Sequence, residues 1–207
     1  MNTWQSQSWL SPATLESMTE VNEEVLALLR AQCRAGAGAP QAPLIQDVSD
    51  LLLNLDAASM RRAAGTAVLL VDAGFADSVR WSDAIIGAVN DRGSPAPEPF
   101  FTVDAAVRVM RLVMGHAWHL ARSEPAAARL LLGLSAANVT VIGRSTLTRL
   151  TALAESRAEW LRPRWENRPG VWRQLLRTAA QGDPGALERL RIRGLQLLAA
   201  ETRASVP

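Results

Sequence analysis

The sequence predicts an all-α protein, and three observations lead to this fold class. Apolar residues make up 48% of the 207 residues and tyrosine is absent, while alanine and leucine dominate the composition. Alanine and leucine favour helices, whereas β-branched and aromatic residues favour strands. Apolar side chains recur at steps of three and four residues over 15–29 and 103–117, which is the period of an α-helix.

In the first half, we expect one long helix followed by shorter ones. The long helix begins at Ser11-Pro12 and ends near Arg34, because proline in the first turn and a row of glutamates suit the start of a helix. The small-residue segment 35–43 then interrupts it. Shorter helices are predicted over residues 47–55, 56–71 and 75–88.

The second half is expected to follow the same plan. Thr102 opens a long helix, and Ser123-Glu124-Pro125 starts the next one. Ser135 and Ser145 each stand two residues after a glycine, and we predict both as N-caps whose hydroxyls accept from first-turn amides. Two more helices are predicted over residues 170–180 and from residue 183 onwards.

An internal repeat indicates two tandem, related helical modules. Residues 51–58, LLLNLDAA, match residues 130–137, LLLGLSAA, at an offset of 79, and this offset also carries Trp81 onto Trp160. Two of only seven tryptophans seldom share an offset by chance. We therefore expect two modules packed as a pseudo-dimer. The predicted modules are residues 1–89 and 102–207, joined by a proline-rich linker over 90–101.

The charge is divided unevenly between the two halves. All 22 basic residues are arginine; residues 1–101 carry 6 arginines and 12 acids, whereas residues 102–207 carry 16 arginines and 8 acids. This division favours a basic partner-binding surface in the second half. The alternative is that the arginines reflect composition alone and form an ordinary solvated surface.

The candidate binding site is an arginine- and tryptophan-rich stretch of the second half. Pro163 cannot continue a helix, so we expect the neighbouring arginines on an exposed corner. Arginines there would contact phosphates, which position a complex without reading its sequence, and tryptophans would stack on bases or fill a protein interface. The candidate DNA-binding or partner-binding residues are Arg144, Arg149, Arg157, Trp160, Arg162, Arg164, Trp165 and Arg168.

Two further expectations concern this stretch. Replacing Arg162 and Arg164 by alanine is expected to weaken binding to DNA and to leave the fold intact, since exposed charges add little stability. The turn at 133–135 is also compatible with a helix-turn-helix motif, although the helix after it offers little to the edges of bases.

The same stretch resembles the FlhD family of flagellar-type transcriptional activator subunits. That family has a Leu-Gly-x-Ser turn, a Leu-x-x-Leu-Ala-x-Ser helix and an Arg-x-Arg-aromatic hairpin in this order. The first half matches more weakly, with Arg80-Trp81 in place of the hairpin. Leu161 stands where the family tends to have a cysteine that can link subunits. The matching residues are Leu132-Gly133-Leu134-Ser135, Leu150, Leu153-Ala154, Ser156 and Arg162-Pro163-Arg164-Trp165.

The resemblance implies a fused dimer that acts as a transcriptional regulator subunit and activates promoters. It further implies an FlhC-like, zinc-containing DNA-binding partner subunit, duplex DNA as part of the complex, and RNA polymerase. The first module, where acids surround Arg80, is expected to be structural or partner-binding. The alternative, from a different class, is a helical adaptor or assembly protein that binds another protein and has no role with nucleic acid.

Other function classes have little support in the sequence. Cys33 is the only cysteine, so neither a disulfide within the chain nor a cysteine-based zinc site is expected. His116 and His119 share a helix face without a third ligand nearby, and no nucleophile elbow or glycine-rich phosphate loop is present. We therefore expect no cofactor, no metal and no enzymatic activity. The sequence shows neither a membrane-spanning run nor a signal peptide, so a cytoplasmic protein is expected.

Overall fold

The computed structural model of the chain describes residues 11–35, 42–86 and 98–204. These residues form ten α-helices, one 3-10 turn and two strands of two residues each, which confirms the all-α fold class. In chain order the elements are α1 (Pro12–Ala35), α2 (Pro43–Asn54), α3 (Ala57–Ala64), β1 (Val71–Asp72), α4 (Ser78–Ile86), α5 (Val103–Ser123), α6 (Pro125–Leu132), α7 (Ala136–Arg144), α8 (Leu147–Ser156), the 3-10 turn Ala158–Trp160, β2 (Arg162–Pro163), α9 (Pro169–Gln181) and α10 (Pro184–Ala204).

Prolines and capping side chains set where several of these helices begin. Proline lies in the first turn of α2, α6 and α9, where its missing amide proton costs no helical hydrogen bond. The predicted N-cap Ser135 accepts a hydrogen bond from the Asn138 amide at 3.1 Å. For α8 the N-cap is Thr146, which accepts from the Arg149 amide at 3.2 Å. The prediction of Ser145 as an N-cap is therefore wrong by one residue.

The helix predicted over 56–71 ends early, at Ala64. Beyond this point the fully buried Asn22 of α1 satisfies the backbone. Its amide group donates to the Ala64 and Val68 carbonyls at 3.1 and 3.0 Å, and its oxygen accepts from the Leu70 amide at 2.9 Å. Because a side chain supplies these bonds, the segment after α3 can cross the interior without being helical.

Two of the long helices, α1 and α5, lie at the centre of one continuous core. Leu26 and Leu29 of α1 and Val113 and Leu120 of α5 are fully buried. α1 packs against α2 and α3, α5 packs against α6, α7 and α8, and the two long helices contact each other. The apolar stripes that predicted these helices are therefore the faces that build the core.

The two halves of the chain are interlocked. β1 pairs with β2 in antiparallel fashion, so that Val71 faces Pro163 and Asp72 faces Arg162. α9 packs on α2 and α3 of the first half, and α4 packs on α7 and α8 of the second half. Each half thus covers the core of the other, and the described residues of the two predicted modules share one core.

Several elements recur at a spacing of 91 residues. The two tryptophans related by this spacing, Trp81 of α4 and Trp172 of α9, are both fully buried. Gly74 and Trp165, also 91 residues apart, both have left-handed backbone angles, with φ of 68° and 57°. Three pairs of elements also begin 91 residues apart: α1 at residue 12 and α5 at 103, β1 at 71 and β2 at 162, and α4 at 78 and α9 at 169.

This spacing differs from the offset of 79 in the sequence repeat. The smaller offset aligns the first residues of α3 and α7, but it places Trp81 of α4 on Trp160 of the 3-10 turn. Local Leu-Ala identity produced that alignment, whereas helix order and strand pairing follow the larger spacing. The offset of 79 is therefore wrong for the later elements, and the origin of the halves as two copies stays a prediction.

The predicted linker over 90–101 lies mostly outside the described residues, which stop at residue 86 and resume at residue 98. Its last two residues, Phe100 and Phe101, are buried, with ring centroids 4.8 Å apart. The C-terminal end of this segment is consequently part of the core rather than an exposed connector.

No helix in the described ranges is both long and apolar enough to cross a membrane. α6 and α7 meet the requirements of length and composition only as a pair, and the chain bends by 119° between them.

A buried histidine lies at the contact between the long helices. His116 Nδ1 of α5 is 3.1 Å from the Ser17 hydroxyl of α1, and its Nε2 is buried with no hydrogen-bond partner among the described residues. Burial, with a smaller contribution from His119, lowers the pKa of His116 from 6.5 to about 4. The imidazole is therefore neutral in the folded protein.

This pKa predicts a pH-dependent stability. Between pH 6.5 and pH 4 the unfolded chain binds a proton at His116 that the folded chain does not, so acidification favours unfolding. We expect the free energy of unfolding to fall across this window by up to roughly 3 kcal/mol more in the wild type than in His116→Leu, measured by urea denaturation. The exposed His119 provides the control, because His119→Ala should retain most of the dependence. Parallel profiles for wild type and His116→Leu would contradict the assignment.

Candidate functional site

Arg164, a predicted site residue, is buried in the protein interior. Its guanidinium donates to the carbonyls of Leu69, Val71 and Leu132 at 2.9, 3.2 and 2.8 Å. Only 5% of the residue is exposed. The expectation that Arg164 lies on an exposed corner is therefore wrong, because carbonyls from two distant segments enclose its side chain.

The charge of Arg164 has only weak ionic partners. The carboxylates of Asp72 and Glu201 lie 3.8 and 4.0 Å from guanidinium nitrogens. Burial lowers the pKa of Arg164, and these two carboxylates oppose the shift. Since the hydrogen bonds are shorter than the ionic contacts, the three carbonyls are the principal partners of the buried charge.

The backbone around Arg164 is also fixed by hydrogen bonds. Its amide donates to the Leu70 carbonyl at 2.8 Å, and its carbonyl accepts from the indole nitrogen of Trp172 at 2.7 Å. The neighbouring Gly133 has φ 73°, and a Cβ there would come within 2.8 Å of a Leu198 methyl group. Glycine at 133 therefore suits the left-handed turn after α6 and leaves room for the Leu198 side chain of α10.

Most of the other candidate residues near β2 have partners within the protein. The Arg162 guanidinium donates to both carboxylate oxygens of Glu166 at 2.8 and 3.0 Å and to the Glu98 carbonyl at 2.8 Å. Trp160 is buried and contacts the Trp81 ring edge-on, with centroids 5.9 Å apart. Arg162 and Trp160 thus connect elements of the fold, and their side chains contact other residues of the protein.

The remaining candidate residues lie on either side of β2. Arg157 precedes it, and Trp165 and Arg168 follow it. Trp165 is half-buried, and its indole nitrogen has no hydrogen-bond partner within the described part of the chain. Arg168 is exposed immediately before α9, and Arg157 is half-buried immediately after α8. Of Arg157, Arg162, Arg164 and Arg168, only Arg168 is exposed to solvent.

Arg144 and Arg149 lie elsewhere, at the turn between α7 and α8. Arg144 ends α7 and Arg149 is in the first turn of α8; both are exposed, and neither side chain has a partner in the ranges that the structure describes. A third arginine, Arg122 of α5, reaches the same place by donating to the Gly143 carbonyl at 3.4 Å. We refer to Arg122, Arg144 and Arg149 as the α7–α8 corner.

Sequence reasoning missed Arg122, although one signal for it was present. Trp118 stands four residues earlier on α5, and residues at this spacing are neighbours on a helix. The Arg122 guanidinium lies 4.9 Å from the centre of the Trp118 ring, and the Trp118 indole donates to the Ser145 carbonyl at 2.9 Å. Trp118 therefore links Arg122 to the start of α8.

An open groove of about 860 Å³ lies between α1 and α3 of the first half and α10 of the second half. Its apolar walls are contributed by all three helices, and charged residues also line it. Ile192 of α10 is 50% exposed there, so this helix is incompletely covered. The apolar residues that line the groove are Leu15, Ala58, Ala67, Leu187, Ile192 and Leu195.

The described residues contain no cluster of three or more histidine, cysteine, aspartate or glutamate side chains able to hold a metal ion. Cys33 is a free, buried thiol, and burial raises its pKa. A thiol in this state has little thiolate character at neutral pH.

No family model matches this chain, and no curated protein or solved structure matches it either. The resemblance to FlhD therefore rests on the motif residues themselves.

The burial of Arg164 predicts a large loss of stability on substitution. Arg164→Ala removes the donor for three buried carbonyls, so we expect the free energy of unfolding to decrease by about 3 kcal/mol or more. The exposed Arg168 is the control, and Arg168→Ala should change stability by less than about 0.5 kcal/mol. Chemical denaturation followed by circular dichroism measures both. Similar stabilities of the two variants would show that the hydrogen bonds of Arg164 contribute little.

Proposed function

We propose that this chain is a transcriptional regulator subunit that resembles two fused FlhD-type subunits. In this proposal it acts with an FlhC-like, zinc-containing DNA-binding subunit at promoters, where the complex would also contact RNA polymerase. The observation that carries the proposal is the hydrogen bond between the Leu132 carbonyl and the Arg164 guanidinium, at 2.8 Å. It joins two of the three motifs on which the resemblance is based, the Leu-Gly-x-Ser turn and the Arg-x-Arg-aromatic motif.

The three motifs form one structural unit, which supports the resemblance in physical terms. Leu132-Gly133 makes the turn that receives Arg164, and Ser135 then caps α7. The Leu-x-x-Leu-Ala helix is α8, whose Leu150, Leu153 and Ala154 are buried in the core. Leu132 and Arg164, which are 32 positions apart in the sequence, therefore share a structural role, as expected of a family motif.

The interlocked halves fit a fused dimer. In a dimer whose subunits exchange terminal elements, each subunit completes the core of the other, and the pairing of β1 with β2 and the packing of α4 and α9 have this form. Fusion into one chain would replace the cysteine link that Leu161 precludes. The recurrence of elements at a spacing of 91 residues supports the same interpretation.

A helical adaptor without a nucleic-acid role is the second candidate, and the groove between α1, α3 and α10 favours it. Grooves with apolar walls and charged rims are typical docking sites for amphipathic helices. The internal roles of Trp160, Arg162 and Arg164 also remove these residues from any direct contact with phosphates.

Binding to DNA as a function of salt separates the two candidates. We expect the chain, purified together with its natural partner, to bind duplex DNA at low salt, with an affinity that falls steeply between about 50 and 200 mM salt as counterions return to the phosphates. Fluorescence anisotropy of a labelled promoter duplex measures this, and mass spectrometry identifies the partner. A co-purified complex that binds no duplex at low salt would rule out the regulator and favour the adaptor. The zinc content of the co-purified partner is a second measurement, and it does not depend on DNA binding. Zinc in the partner would support the regulator.

A further inference from the structure

We propose that the α7–α8 corner is a phosphate-binding surface through which the chain contacts the backbone of duplex DNA. The inference rests on the proposed function and assigns its DNA contacts to Arg122, Arg144 and Arg149. It places these contacts on one half of the molecule only.

The α7–α8 corner is prearranged for binding. Stacking on Trp118 and the hydrogen bond to the Gly143 carbonyl orient Arg122. α5 and α7 approach closely there, since a Cβ on Gly143 would lie 3.3 Å from the Ala121 carbonyl oxygen. A held guanidinium loses less conformational freedom when it binds a phosphate than a free one does.

The corner also retains its positive charge. Two other arginines of α5 are neutralised by carboxylates, Arg108 by Glu24 at 3.4 Å and Arg111 by Glu155 at 2.5 Å. The corner arginines have no carboxylate within ion-pair distance among the described residues. Residues 125–154, which contain α6, α7 and nearly all of α8, include no acid at all. Positive potential therefore persists on this side of the molecule.

The spaced guanidinium groups of the corner suit phosphates as ligands. A guanidinium matches two oxygens of a phosphate with parallel hydrogen bonds, and several spaced arginines suit a row of phosphates better than a single anion. The exposed side chains of α7 beside the corner, Ala136, Ala137 and Thr140, offer few groups that read base edges. The corner thus fits the DNA backbone and would position the complex without selecting its sequence.

The other half lacks this charge at the equivalent positions. At the 91-residue spacing, Leu53 and Ala58 stand where the corner has Arg144 and Arg149. Arg30 of α1 is nearby, but its guanidinium donates to the carbonyls of Leu53 and Leu55 at 2.9 and 2.8 Å. Within the described residues, the corner therefore has no counterpart at the equivalent place on the first half.

The test compares two double variants of the full chain in its co-purified complex. Arg144→Ala with Arg149→Ala should lower the affinity for a labelled duplex by at least about tenfold near 100 mM salt, and should reduce the slope of log affinity against log salt by about 2. Adding Arg122→Ala should reduce the slope further, by about 1. The matched control is Arg108→Ala with Arg111→Ala, which removes the same charge from paired arginines and should leave the slope almost unchanged.

The outcomes separate the corner from the proposed function. If the wild-type complex binds no duplex at low salt, the proposed function fails, and the assignment of the corner to DNA fails with it. If the wild type binds and the corner variant has the wild-type slope, the proposed function stands and the corner assignment is wrong. Equal losses in corner and control variants would show a general charge effect, and loss of the partner from the corner variant would show a protein interface; each result overturns the assignment. Circular dichroism melting confirms that both variants are folded.

Discussion

The buried guanidinium of Arg164 is the interaction on which the arrangement of this protein depends. A buried charge costs several kcal/mol unless hydrogen bonds compensate for it. Here the compensation comes from the carbonyls of Leu69, just before β1, and Val71, within β1, and from the Leu132 carbonyl at the end of α6, so three segments must meet at one point. The backbone of Arg164 adds hydrogen bonds to Leu70 and Trp172. These bonds hold the residues after β2 against the segment before β1 and against α9. A charge that needs all of these partners permits one relative position of the two halves.

Three environments are represented among the arginines of the second half, and they show which of the side chains are held by the fold. Arg164 is enclosed and holds the fold together. Arg108, Arg111 and Arg162 are paired with carboxylates, which cancels most of their field at a distance. The α7–α8 corner keeps its charge. The net charge of a segment is therefore a weak guide to where an anion would bind, because an arginine is available only when the fold has given it no other partner.

The sequence predicted local features well and those that depend on distant residues poorly. The period of apolar residues located α1 and α5, and Ser135 was found as a cap because capping involves neighbours within four residues. The end of α3 and the buried state of Arg164 were missed, since both depend on partners that lie from 32 to 95 residues away. Arg144 and Arg149 were predicted as binding residues, and both are exposed because one turn sets their environment. Arg122 was overlooked because it reaches the corner from another helix, and the 91-residue spacing is visible only in the order of elements.

The interlocking of the halves has a consequence for biosynthesis. The apolar faces of α2 and α3 are covered by α9, and β1 has its only described strand partner in β2. While the chain is being translated, the first half therefore exits the ribosome long before the segments that cover it. Contacts between residues so far apart also make folding slow, because a long loop must close before they form. The nascent first half exposes apolar surface during this interval, and the protein should depend on chaperones to avoid aggregation until its C-terminal helices have been made.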